Sequence, residues 1–182
     1  GRGFSFWRNE SLDMRYNPRQ NTLTAAEIVN TWSLKDLERV LRVYGEERFA
    51  RQIAKEIVKS RPLRTAVDLV MAVERATPSW YNRRRIHFAT KTFQALRIAV
   101  NNELENLEKA LPQALDILCS GGKLAVIAFH SLEDRIVKNF LKAKAKEDVV
   151  KILTKKPVRP SREEIAENPR ARSAKLRVAV KV

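Results

Sequence analysis

Apolar residues recur at helical spacing through the first half of the chain. In EERFARQIAKEIVKSR, Phe49, Ile53, Ile57 and Val58 share one face while Arg51, Lys55 and Lys59 fall off it, the pattern of an amphipathic helix. Thr24-Ala25-Ala26-Glu27 and Ser33-Leu34-Lys35-Asp36 each place a hydroxyl three residues before a carboxylate, as a helix start does, and Thr65 precedes AVDLVMAVERA. Gly45, Pro62 and Pro78 supply stops. Residues 24–77 are therefore predicted to form an all-helical unit. Residues 1–22 show no period of 2 or 3.6 and are predicted to be irregular.

The pattern changes after His87. TFQALRIAVNNELENLEKALPQALDIL predicts one long helix bent at Pro112. After Gly121-Gly122, the run LAVIAF lacks polar alternation and predicts a strand buried on both faces, as in a parallel sheet covered by helices. Ser131 and Asp134 have the spacing of an N-cap and its partner three residues on, so a helix follows at once. VVKILT predicts a strand, Ser161-Arg162-Glu163-Glu164 a capped short helix, and KLRVAVKV a half-buried strand with Leu176, Val178, Val180 and Val182 on one face. The fold class is α/β: the back half of an open sheet plus a helical unit. The boundaries are residues 1–22 as a linking segment on the active-site side, 23–86 as the helical domain and 87–182 as the sheet half.

A net charge of +15 sharpens this picture because of where it sits. Residues 51–91 carry 10 basic and 3 acidic side chains and residues 135–182 carry 15 and 5, whereas residues 92–134 carry 3 and 6. Two basic blocks around an apolar, mildly acidic centre suit a polyanionic partner. With two histidines and one cysteine, no structural zinc site is expected. Cys119 reads as packed at an apolar helix end. No apolar run is long enough to span a membrane and no signal peptide is evident, so a cytoplasmic location is expected. The chain opens on Gly1 and its first methionine is Met14, which reads as a fragment of a longer protein.

In open α/β folds ligands bind beyond the carboxyl ends of the strands, and His130 with Ser131 stands at such an end. A Ser–His–acid hydrolase is disfavoured: adjacent residues on one turn seldom face each other, and no G-x-S-x-G elbow exists.

GRGFSF, LDMRYNP, YGEERFARQIAKEIV, TFQALRIAVNNEL, GGKLAVIAFHSLEDRIVK, LTKKP and NPRARSAKLRVA, in that order, resemble the RsmH/MraW family of ribosomal RNA small-subunit methyltransferases from Gly1 to Val182. Phe88, Ser120, Ala128 and Ala171 depart from the family pattern. The resemblance implies a Rossmann-like methyltransferase domain interrupted by a helical insertion, and S-adenosylmethionine-dependent methylation of the N4 amine of a cytidine in the small-subunit rRNA. It places the cofactor motifs before R-G-F-S-F, so no cofactor-binding residue is assigned and the chain alone is expected to be inactive. Implied partners are small-subunit rRNA or the 30S subunit, with a homodimer left open, and no metal is needed.

A cytidine substrate makes several residues candidates. Catalytic candidates are Asp13, accepting from the cytosine amine, with His130 and Ser131 facing the same crevice. Substrate-binding candidates are Phe4 and Phe6, with Trp7, as apolar walls, and Arg15 to orient Asp13 or hold phosphate. Lys155, Lys156, Arg170 and Arg172 are loop cations suited to RNA phosphates. The competing reading is a non-enzymatic basic RNA-binding or ribosome-associated protein.

Overall fold

The computed structural model describes residues 1–182, and the chain is mixed α/β, mostly helical with one small three-stranded antiparallel sheet. Its contacts divide it into two compact units, Gly1–Glu103 and Leu104–Val182.

The first unit contains α1 (Ala25–Thr31), α2 (Leu34–Gly45), α3 (Ala50–Lys59), α4 (Ala66–Ala76), the single turn α5 (Ser79–Asn82) and α6 (Thr90–Asn101). Three starts follow the predicted cap chemistry: Thr24, Ser33 and Thr65 each accept the N–H of the residue three ahead, and Thr65 with Asp68 completes a reciprocal capping box. Ile53 and Ile57 of α3 lie fully buried with Ile28, Leu37, Leu41 and Leu69. Gly45 works differently from a simple stop. The left-handed residue is Glu46 (φ 47°), and Gly45 is the last helical residue, where a Cβ would lie 2.7 Å from the Lys91 carbonyl oxygen of α6. Its missing side chain allows α2 and α6 to pack closely.

Residues 1–22 form no helix or strand, as expected, yet they are anchored. Leu12 and Met14 are buried, and the Leu12 and Asp13 carbonyls accept the Ala26 and Ala25 N–H groups at the start of α1.

The predicted long helix is two helices. The chain turns at Asn102 (φ 49°), ending α6 and starting α7 (Glu103–Asp116), while Pro112 stays inside α7. The left-handed backbone suits an asparagine, so Asn101-Asn102 outweighed the proline as the break.

In the second unit α7 is followed by β1 (Lys123–Ala128), α8 (Ser131–Lys146), β2 (Val150–Ile152), α9 (Arg162–Glu167), a 3-10 turn over Pro169–Ser173, and β3 (Lys175–Lys181). The strand order is β1-β3-β2, with Lys123 opposite Val180 and Val150 opposite Lys181. Leu111 and Leu115 of α7 and Val137 and Leu141 of α8 form a core with Val150 and Ala179.

Three sequence expectations are corrected here. β1 is not buried on both faces: Ala125, Ile127 and Phe129 are exposed, Ile127 by 57% and Phe129 by 54%. In β3 the covered face is the one bearing Arg177 and Ala179, while Leu176, Val178 and Val180 on the other face are only half-buried. The cations on the covered face are neutralised or capped: Asp134 of α8 takes Lys175 and Arg177, and Lys181 Nζ donates to the Leu115 and Leu118 carbonyls. Cys119 is exposed in the turn after α7, where its carbonyl accepts the Gly122 N–H, so it is not a packing residue.

Candidate functional site

In the first unit the segment Gly1–Asn21 carries Phe4, Phe6, Asp13 and Arg15. Gly3 has φ 73°, and a Cβ there would lie 2.2 Å from the Ser11 carbonyl oxygen, so only glycine fits this close approach. Phe4 stacks on Tyr16 with ring centres 5.6 Å apart, and Phe6 stacks on His87 at 4.2 Å and meets Phe93 edge-on at 5.8 Å. Both rings pack partly on the helical core. The aromatic most open to a ligand is Trp7, 77% exposed.

Asp13 and Arg15 form a bidentate pair, Nε to Oδ1 at 2.7 Å and Nη2 to Oδ2 at 2.9 Å, and the Arg15 N–H also donates to Oδ1. Arg15 Nη1 donates to the Asn21 carbonyl. The guanidinium beside Asp13 holds its carboxyl below the usual carboxylate range. Asp13 is therefore a fixed, ionised hydrogen-bond acceptor and a poor proton base.

One residue the sequence reading passed over sets this geometry. Asn101 donates to the Met14 carbonyl at 2.7 Å and accepts the Tyr16 N–H at 2.8 Å, clamping both sides of Arg15 onto the end of α6. Its only sequence signal was an asparagine pair closing an apolar helix. A second unread feature is Trp80, half exposed, with the Arg48 guanidinium 5.8 Å from its ring and Arg83, Arg84 and Arg85 exposed just beyond.

In the second unit β1 and β2 both run antiparallel to β3, so they are parallel to each other and their carboxyl ends lie at one end of the sheet. Phe129-His130 leaves one and Thr154-Lys155-Lys156 leaves the other, with Lys175 entering β3 at the same end. The sheet thus brings His130 and the lysine pair to the end where open α/β folds bind ligands.

The cap at the start of α8 is shifted by one residue from the prediction. His130 is the N-cap: its Nδ1 accepts the Glu133 N–H at 3.3 Å, and Glu133 Oε2 accepts the Phe129 and His130 N–H groups. A carboxylate that reaches both N–H groups ahead of the helix outcompetes a serine hydroxyl for the register. Ser131 is the exposed first helical residue, and Asp134 is released to pair with β3. The imidazole Nε2 lies 3.4 Å from Glu133 Oε1. Lys155 and Lys156 are exposed. Arg170 and Arg172 are exposed too, on the 3-10 turn instead of irregular chain, with the Asn168 side chain capping Arg170.

The glycines do not form a nucleotide-holding turn. Such a turn leaves a strand and opens a helix, whereas Gly121 and Gly122 lead into β1 and Gly3 is packed against Ser11. These residues do not fit the cradle of a nucleotide-like cofactor. No helix is long and apolar enough to cross a membrane.

The MraW methylase family pattern matches residues 1–182. "Ribosomal RNA small subunit methyltransferase H" of Synechocystis sp. is 54% identical over 181 residues, covering 100% of this chain and 58% of that protein. The proteins of the same name from Thermosipho melanesiensis and Persephonella marina are 52% and 50% identical, again over 100% of this chain and over 61% and 62% of their own lengths. The chain spans about three fifths of the length of the curated relatives it matches.

Proposed function

We propose, from the premise that this chain belongs to the MraW methylase family, that it is the substrate-side portion of an S-adenosylmethionine-dependent enzyme methylating the N4 amine of a cytidine in small-subunit rRNA. The observation that carries this reading is a match to rRNA methyltransferases along all of the chain at 50–54% identity. In this reading the remaining length of those relatives supplies the methyl-donor site.

In this reading the sheet is the back half of a Rossmann-like methyltransferase domain and the helical unit its insertion. β1 pairs only with β3, leaving its other edge open, and Ala125, Ile127, Leu176, Val178 and Val180 form an uncovered apolar face. An open edge beside an uncovered apolar face calls for further strands and a covering layer.

The cytosine amine is a weak nucleophile because its lone pair is delocalised into the ring. It must be held by groups accepting its N–H hydrogens and kept out of any base stack. Asp13, ionised and locked by Arg15, is the acceptor. Phe4 and Phe6, with Trp7 beside them, are the walls. In the second unit, His130 and Ser131 contact the RNA at the sheet end. Lys155, Lys156, Arg170 and Arg172 hold phosphates. The partner is rRNA or the 30S subunit, in the cytoplasm.

The test is tritiated-methyl transfer from S-adenosylmethionine to small ribosomal subunits by the complete enzyme. Label in N4-methylcytidine is expected, with Asp13→Ala reducing turnover by about three orders of magnitude, as loss of a positioning contact does. Retained RNA binding with no transfer would favour the basic RNA-binding alternative.

A further inference from the structure

A pocket of about 430 Å³ opens in the second unit between α8 and the segment leaving β2. Leu141, Ile152 and Pro157 give it an apolar lining. Around that lining stand Lys138 and Lys142 from α8 and Lys155 and Lys156 from the loop. No acid lines it, and none of the four lysines makes a salt bridge.

Arg177 completes the lining and is unusual for a cation, being only 7% exposed. Asp134 holds its Nε at 2.6 Å, and that is the only hydrogen bond its guanidinium makes. Thr154 is pinned to β3 by accepting the Val178 N–H at 2.9 Å, which fixes where the two loop lysines begin. Concentrating cations that repel one another costs stability, and nothing within the protein offsets that cost at the four lysines. An anionic ligand would.

We propose that this pocket binds one unstacked nucleotide of an RNA strand, with base and ribose against Leu141, Ile152 and Pro157 and the flanking phosphates on the lysines and Arg177. The inference rests on the reading of the chain as part of an rRNA-modifying enzyme and adds the site at which the strand is anchored. A bare anion does not need an apolar lining. Cations distributed over a helix and a loop suit phosphates on either side of a nucleoside.

The test is a fluorescence-anisotropy titration of the complete enzyme with a single-stranded RNA hexamer, a hexamer abasic at its central two positions, and inorganic triphosphate as competitor. Lys142→Ala/Lys156→Ala is expected to weaken the hexamer about tenfold and to lower the slope of log K against log salt by about 1.4, two contacts at roughly 0.7 each. The abasic hexamer is expected to bind the native chain about fivefold more weakly than RNA does, since it lacks the base that covers the apolar lining. Lys142→Arg/Lys156→Arg, which keeps the charge, is expected to restore the slope. An unchanged affinity in the alanine variant, equal binding of the abasic strand to the native chain, or full competition by the triphosphate each overturns the proposal. Methyl transfer by the complete enzyme reports on the broader reading separately: transfer with pocket-independent hexamer binding rejects the pocket alone, and pocket-dependent binding without transfer rejects the methyltransferase reading alone.

Discussion

Arg177 of β3 donates its Nε to Oδ1 of Asp134 on α8 at 2.6 Å, and Lys175 Nζ reaches Oδ2 of the same carboxylate at 3.2 Å. One acid thereby joins a helix to the central strand. Asp134→Ala would leave a largely buried guanidinium without its counter-charge, and a loss of about 3 kcal/mol is expected in urea unfolding. Asp134→Leu with Arg177→Met, which removes the charge pair, is expected to recover most of that loss.

The same carboxylate gives the second unit an acid limit. Burial works to raise the Asp134 pKa, but the hydrogen bonds from Arg177 and Lys175 prevail and hold it below 3.8. The unfolded chain therefore binds its proton first as pH falls. The stabilisation is complete above 3.8 and is lost as pH drops through the lower folded value. Melting curves between pH 5 and about 2 should show this loss in the native chain and not in the double variant.

His87 gives the first unit a different dependence. Stacked between Phe6 and Phe88, it is desolvated, which lowers its pKa below 6.5. Unfolding then takes up a proton between the two values. Stability is expected to fall as pH decreases from 6.5 through the folded value and to level off below it. His87→Phe, which keeps the stack, should flatten that part of the curve.

Asn101 is expected to act as a positioning residue for Asp13. Removing its hydrogen bonds to Met14 and Tyr16 with Asn101→Ala costs about 1–2 kcal/mol locally, so the Tyr16 amide should exchange with deuterium roughly tenfold faster. In the complete enzyme the variant should lose turnover, while Asn101→Asp, which keeps the acceptor for the Tyr16 N–H, should retain part of it.

Thr92 is buried in α6 and its hydroxyl has no hydrogen-bond partner. Thr92→Val keeps the shape and removes the unpaired group, so a gain of about 1 kcal/mol is expected in thermal unfolding. A loss instead would mean that the hydroxyl is satisfied by solvent.

Local chemistry was legible along the chain. Thr24, Ser33, Thr65 and Ser161 cap the helices that their spacing predicts, and Ile53 and Ile57 face the core their period assigns. Such features need only neighbours three or four residues away. The misreadings have a common cause in long-range competition. Spacing alone makes Asp134 a cap partner, but Glu133 reaches two N–H groups while β3 presents two cations to Asp134. The exposure of Cys119 also depends on packing that spacing does not encode, whereas the break at Asn102 rests on asparagine's tolerance of left-handed backbone.

The sequence by itself determined the family, the helical first half, the order of the elements and the charge blocks, because these lie in residue identity and short periods. Tertiary structure decided which face of β3 is covered, since alternation marks two faces and only the placement of α8 chooses one. It also decided that Arg177, Lys138 and Lys155 meet at one pocket, because strands running parallel through a shared antiparallel neighbour bring their ends together from distant positions in the chain.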